Sequence, residues 1–122
     1  MERVVTFLLS AKPDAALSFY RDTLGWSYLR DDGFALVFDM RGVMLRISKV
    51  AEFTPAQNTV LGWECADIAA EVDALAAKGV GFVRYPGMTQ DERAICTFPN
   101  GDQVAWLKDP DGNVLSLSQH AP

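Results

Sequence analysis

The chain of 122 residues is poor in the side chains that build most reactive centres: one histidine, His120, and two cysteines, Cys65 and Cys96. The cysteines lie in separate strand-like runs without Cys-x-x-Cys spacing, so packed free thiols are expected rather than a disulfide or a metal pair. A cysteine nucleophile would need a base, and His120 stands two residues from the C-terminus, where it reads as a frayed end. Basic residues are also few: 11 Lys and Arg against 16 Asp and Glu, a net charge of −5, scattered rather than gathered in a stripe. That is poor equipment for neutralising phosphates, so no nucleic-acid partner is expected. No apolar run approaches the ~20 residues of a membrane-spanning helix. The opening "MERVVTFLLSAKPD" reads as a strand rather than a signal peptide, so a cytoplasmic protein without membrane partners is expected.

What the chain does have is the composition of a folded protein, 49% hydrophobic and 22% charged. Its length suits one domain, 1–122, or two small modules sharing a core. "RVVTFLLS" (3–10) reads as a strand, and "PDAALSFYRDTLG" (13–25) as a helix opened by Pro13 and stopped by Gly25. "WSYLRDD", "FALVFDM" and "GVMLRISKV" follow as strands joined by Asp-Gly and Arg-Gly turns, giving a β-α-β-β-β module over about 1–50.

"AEFTPAQN" (51–58) lacks periodicity and reads as a linker. The order then begins again over about 59–120, with "TVLGWECA" as a strand and "DIAAEVDALAAKG" as a helix capped by Asp67 and closed by Gly79. Four further strand-like runs follow: "VGFVRYP", "RAICTFP", "QVAWLKD" and "NVLSLSQ". Such repetition points to an internal duplication. Alternation sorts the strand faces: Val43, Leu45 and Ile47 oppose Met44, Arg46 and Ser48, while Leu115 and Leu117 oppose Val114, Ser116 and Ser118.

Three stretches in order, "PDAALSFYRDTLGW", "DIAAEVDALAAKGV" and "AWLKDPDGNVLSLSQ", make the chain resemble the vicinal oxygen chelate superfamily of glyoxalase I, bleomycin-resistance proteins and extradiol dioxygenases. The resemblance spans nearly the whole chain. It implies an α+β fold of two β-α-β-β-β modules forming a curled mixed sheet around a shared cavity, usually in a homodimer. Metal-using members of that family carry His, Glu or Gln ligands on the first and last strands of each module. Counted onto this sequence, those positions hold Val5, Arg46, Val60 and Ser116, none a usual ligand, so no metal and no other cofactor is expected.

The resemblance further implies a concave face. The first module would contribute Val5, Phe7, Leu9, Met44, Arg46 and Ser48, and the second Val60, Gly62, Glu64, Val104, Trp106, Ser116 and Ser118. Mostly apolar with a few polar groups, this is the make-up of a small-molecule pocket, with Phe7, Met44, Arg46, Ser48, Glu64, Trp106 and Ser116 as the binding candidates. Its two charges, Arg46 and Glu64, would pair with each other, anchor a charged ligand, or do both in turn. Asp109 and Asp111 of "DPDG" read as turn-forming carboxylates, and "TQDER" (89–93) as a solvated loop near the cavity mouth. Two functions are compatible with these residues. One is a metal-independent protein binding a small, partly apolar molecule, as in the bleomycin-resistance branch; the other is a lyase, isomerase or dioxygenase-like enzyme, with Glu64 as a candidate general base.

Overall fold

Pro13 opens the first helix where its missing N–H costs nothing, and α1 (Pro13–Ser18) then widens into a π-helical turn over Phe19–Thr23. The Leu24 N–H donates to Phe19 O at 2.9 Å, and Gly25, at φ 79°, ends the helix in a conformation that an L side chain resists. The expected helix over 13–25 is therefore present with a wider last turn. Ala16 and Tyr20, four residues apart, are fully buried on its inner side.

The computed structural model describes residues 1–122, and the chain divides into two compact units, Met1–Pro55 and Ala56–Pro122. In the first, β1 (Val5–Ser10), β2 (Ser27–Asp31), β3 (Ala35–Met40) and β4 (Val43–Lys49) form a mixed sheet in the order β1-β4-β3-β2. β1 runs parallel to β4, and the other neighbours are antiparallel. The β3–β4 hairpin turns through Arg41 (φ 52°) and Gly42 (φ 93°), two successive positive φ values that match the right-handed twist of the flanking strands. Leu8, Leu36, Phe38, Leu45 and Ile47 are buried on the helix side, where the ring of Phe38 meets Tyr20 and Tyr28. Each such side chain contributes about 1.5–3 kcal/mol of burial.

The second unit repeats this plan. β5 (Thr59–Glu64), α2 (Ile68–Ala77), β6 (Cys96–Thr97), β7 (Gln103–Lys108) and β8 (Val114–Gln119) form a sheet in the order β5-β8-β7-β6, again with the first strand parallel to the last. Asp67 caps α2 by accepting from the Ala70 N–H at 3.1 Å. Ile68, Val72 and Leu75, spaced for one helix face, are buried with Ala105, Leu107, Leu115 and Leu117. The fold is thus α+β, with two β-α-β-β-β modules of matching strand order.

One expected strand does not form. "VGFVRYP" (80–86) makes a single bridge, Phe82 to Leu107, and "RAICTFP" is a strand only at Cys96–Thr97. The side chain of Gln90 supplies what a neighbouring strand would otherwise provide. It accepts from the Tyr85 N–H at 2.8 Å and donates to the carbonyls of Val83 and Ala94, each at 2.9 Å. The polar run 89–93 is therefore tied to the module through Gln90, through Asp91, which accepts from the Ile95 N–H, and through Arg93, which is paired with Asp73.

Candidate functional site

Each sheet has one face under its helix and a second, open face away from it; in the first module that second face is open along β1 but closed at β3, where Ala35 and Val37 are fully buried. In the first module the strand register lines up Phe7, Arg46, Val37 and Arg30 in one row of the open face, with Val5, Met44 and Asp39 in the row beside it and Leu9, Ser48 and Ala35 in the row on the other side. Neighbouring strands lie about 4.8 Å apart, so Arg46 and Arg30 flank Val37 at roughly twice that spacing. Three apolar side chains of β1 lie open on this face: Phe7 is 62% exposed, Leu9 41% and Val5 39%. Of the sequence candidates, Phe7, Met44, Arg46 and Ser48 are thereby brought together.

The charge on that face is organised by the β2–β3 turn. Asp32 Oδ1 accepts from the amides of Phe34 (3.0 Å) and Ala35 (2.9 Å), and Asp32 Oδ2 lies 2.9 Å from Arg46 Nη1. The two backbone donors, and then the Arg46 guanidinium, hold the Asp32 carboxyl down at about 2. Asp31 next to it pairs with Lys49 and accepts from Gly33. Arg46 thus has a carboxylate partner within its own module. The "RDDG" stretch signals an Asp-rich turn, but alternation along β4 carries no sign of which turn residue meets Arg46.

In the second module the register sets Trp106 beside Ser116 and Gly62, and Val104 beside Ser118 and Glu64. These include the candidates Glu64, Trp106 and Ser116, so all three share one open face. Gly62 is there for space: a Cβ built on it would overlap Ser116 Oγ. A bulge at Val60 leaves that residue out of the ladder and pairs Thr59 with Val114. Thr59 Oγ1 then accepts from Trp106 Nε1 at 3.1 Å, so the indole reaches across β8. Tyr85 meets the indole edge-to-face, with ring centroids 5.4 Å apart. Trp106 is accordingly a pre-set aromatic surface, held at one end by Thr59 and along one side by Tyr85. Neither partner follows from the alternation of β7.

The C-terminal histidine is not frayed. His120 Nδ1 lies 3.2 Å from Asp102 Oδ2 and its Nε2 lies 3.1 Å from Ser118 Oγ, while Asp102 Oδ1 accepts from the Ala121 N–H at 2.9 Å. These side chains and the tail amide fasten the end of β8 to the turn before β7. No periodicity marks them, because His120 lies beyond the last strand. At "DPDG", Asp109 is buried and accepts from the amides of Asp111 and Asn113 and from the Asn113 side chain, each at 2.9 Å, so it shapes the turn as expected. Both cysteines are free; burial pushes the Cys65 thiol up to about 11, and Cys96 is buried.

The residues at the four positions that the resemblance assigns to metal ligands do not have the chemistry of divalent-metal ligands. Val5 and Val60 offer hydrocarbon, Arg46 offers a cation already bound to Asp32, and Ser116 offers a neutral hydroxyl. No three His, Cys, Asp or Glu side chains come together elsewhere as a metal-holding group.

The family model described as Glyoxalase/Bleomycin resistance protein/Dioxygenase superfamily matches residues 4–117. Among curated proteins, none matches the chain. Among solved structures, a member of the glyoxalase/bleomycin resistance protein/dioxygenase superfamily from Sphaerobacter thermophilus is similar at a TM-score of 0.77 and 18% identity, over 98% of each chain. A lactoylglutathione lyase from Agrobacterium tumefaciens is similar at a TM-score of 0.70 and 22% identity, over 95% of this chain and 91% of that one. A glyoxalase/bleomycin resistance protein/dioxygenase from Nocardioides is similar at a TM-score of 0.73 and 14% identity, over 96% of this chain and 82% of that one. At these identities the likeness is one of fold.

Proposed function

The chain belongs to the Glyoxalase/Bleomycin resistance protein/Dioxygenase superfamily, and from that premise we propose that it binds a small, partly apolar molecule without a metal or other cofactor, as proteins of the bleomycin-resistance type do. The observation that carries this reading is the Arg46–Asp32 pair at 2.9 Å. A guanidinium fixed by a carboxylate occupies a strand position where metal-using relatives carry a ligand, and a cation there opposes a second cation.

The same pair suggests the ligand's chemistry. Arg46 and Arg30 stand in one row with Phe7, and Leu9 and Met44 lie in the adjoining rows. A carboxylate or a strongly polarised carbonyl suits the arginines, and an apolar body suits Phe7 and its neighbours. In the second module Trp106, with Ser116 beside it, offers a flat surface and a hydroxyl for the same class of molecule, and Glu64 contributes a carboxylate at the strand edge. We read the protein as a cytoplasmic homodimer. The unpaired outer edge of β1 supports a contact with a second copy that leaves Phe7 and Leu9 to the ligand, and light scattering in solution reads the mass directly.

Calorimetry with a panel of aryl and alkyl carboxylates, run in excess EDTA, tests the function. Saturable binding that favours the acids over their amides is expected. Binding that appears only after a divalent metal is added back would remove the proposal.

A further inference from the structure

Ser118, His120 and Asp102 form a hydrogen-bonded chain whose direction is fixed by chemistry. Asp102 Oδ1 is occupied by the Ala121 N–H at 2.9 Å, which leaves Oδ2 facing His120 Nδ1 at 3.2 Å. A carboxylate only accepts, so Nδ1 must carry the proton. In the neutral ring, Nε2 then presents a lone pair to Ser118 Oγ, 3.1 Å away, and accepts the hydroxyl proton. The Ala121 N–H and the His120 ring also hold the Asp102 carboxyl below the usual carboxylate range, in the ionised form this direction requires.

A nucleophile, a base within hydrogen-bond reach of it, and a third group orienting the base make up the arrangement that activates a hydroxyl, on whatever fold it occurs. Ser118 presents its hydroxyl on the open face of the second module, flanked in the sheet by Val104 and by the Glu64 carboxylate. His120 is 54% exposed at its side chain, so a reagent can approach.

We propose that Ser118 is an acyl-accepting nucleophile, with His120 as its base and Asp102 as the residue that positions His120, and that the class of substrate it takes is an activated ester. In the reaction, Ser118 Oγ bonds to the ester carbonyl carbon as its proton passes to His120 Nε2. The bond from carbon to the leaving oxygen then breaks, and the alcohol or phenol departs with the proton held by His120. Water, deprotonated by the same nitrogen, attacks the acyl-serine; the acid is released and Ser118 regains its proton. Esters with phenolate-like leaving groups are the fitting class, because their departure needs little help from a donor at the leaving oxygen.

The full chain incubated with p-nitrophenyl acetate tests this. A burst of about one equivalent of p-nitrophenolate is expected for a hydroxyl that is acylated faster than it is freed. Peptide mapping of the unmodified chain should place the acetyl group on Ser118, a readout that depends on no variant. Ser118→Ala should abolish both signals, and Ser118→Cys should keep the burst through a thioester. His120→Ala should slow acylation by about 100-fold, the low end of general-base assistance. Asp102→Asn should slow it in the wild-type background but not in the His120→Ala background, a dependence that a merely structural Asp102 would lack. Acetyl groups found only on lysines or the amino terminus, or a Ser118 acylation rate indifferent to His120→Ala in a variant with unchanged circular dichroism, would overturn the proposal.

Discussion

Asp32 Oδ2 lies 2.9 Å from Arg46 Nη1, so the guanidinium on the last strand of the first module is held by a turn of that same module. Arg46 therefore enters any ligand contact already oriented, with part of the cost of ordering a long side chain met before binding. On sequence Arg46 is open to pairing with Glu64, to anchoring a charged ligand or to both in turn; Asp32, a partner from its own module, is an addition that the structure makes.

The pair carries a pH signature. The Asp32 carboxyl sits at about 2, below its ordinary value, so its contribution to stability is fully present above the unfolded value near 4. It is lost as pH falls from about 4 through about 2. Acid unfolding followed by circular dichroism should show the wild type converging on Asp32→Asn across that window. Because the amides of Phe34 and Ala35 are the leading causes, Arg46→Met should raise the Asp32 carboxyl only part of the way in a carbon-detected titration.

Replacement of Arg46 bears on affinity more than on folding. The Arg46–Asp32 pair is partly exposed, and solvent screening leaves such pairs little effect on stability. Against a carboxylate ligand, loss of a charged hydrogen bond costs about 1.5–3 kcal/mol. Arg46→Met is expected to weaken aryl carboxylate binding by that amount in calorimetry and to leave the thermal midpoint nearly unchanged.

Trp106 should report on occupancy of the second module. Its indole is fixed by Thr59 and Tyr85, so a ligand stacking there changes the surroundings of a rigid fluorophore. Carboxylates that bind in calorimetry should quench or shift the tryptophan emission, and Trp106→Phe should remove most of that change. Survival of the signal in Trp106→Phe together with its loss in Trp63→Phe would place the ligand on the helix-packed face instead.

Gly62 and Ser116 should behave as a coupled pair. Gly62→Ala brings a methyl group against Ser116 Oγ and forces that side chain aside. In a Ser116→Ala background the obstructing oxygen is gone, so the same change should cost less stability. Thermal denaturation of the four proteins is expected to give a coupling of about 0.5 kcal/mol or more; simple additivity would mean that Ser116 rotates away freely.

The sequence carried the modular order well because each buried stripe has a period. Leu45 with Ile47 and Leu115 with Leu117 alternate, and Ile68, Val72 and Leu75 recur at helical spacing, so burial follows directly from pattern. It carried the 80–95 segment poorly. Apolar residues there resemble a strand, yet Gln90 satisfies the backbone locally, and a single long-range side-chain contact leaves no periodic trace. The same limit explains Asp32, Thr59, Tyr85 and His120, each defined by a partner distant in sequence or beyond the end of a strand. Alternation showed which side chains share a face of each strand, the resemblance to the family proposed those faces as a binding surface, and what holds the side chains there left no pattern in the sequence.

Metal-free binding by this member of the superfamily is decided by native mass spectrometry of the freshly purified chain, before and after dialysis against EDTA. The same protein mass is expected in both spectra, with no stoichiometric Zn, Ni, Mn or Fe and with an added aryl carboxylate retained by the dialysed sample. About one metal ion per chain, removed by EDTA together with the capacity to hold the carboxylate, would contradict metal-free binding.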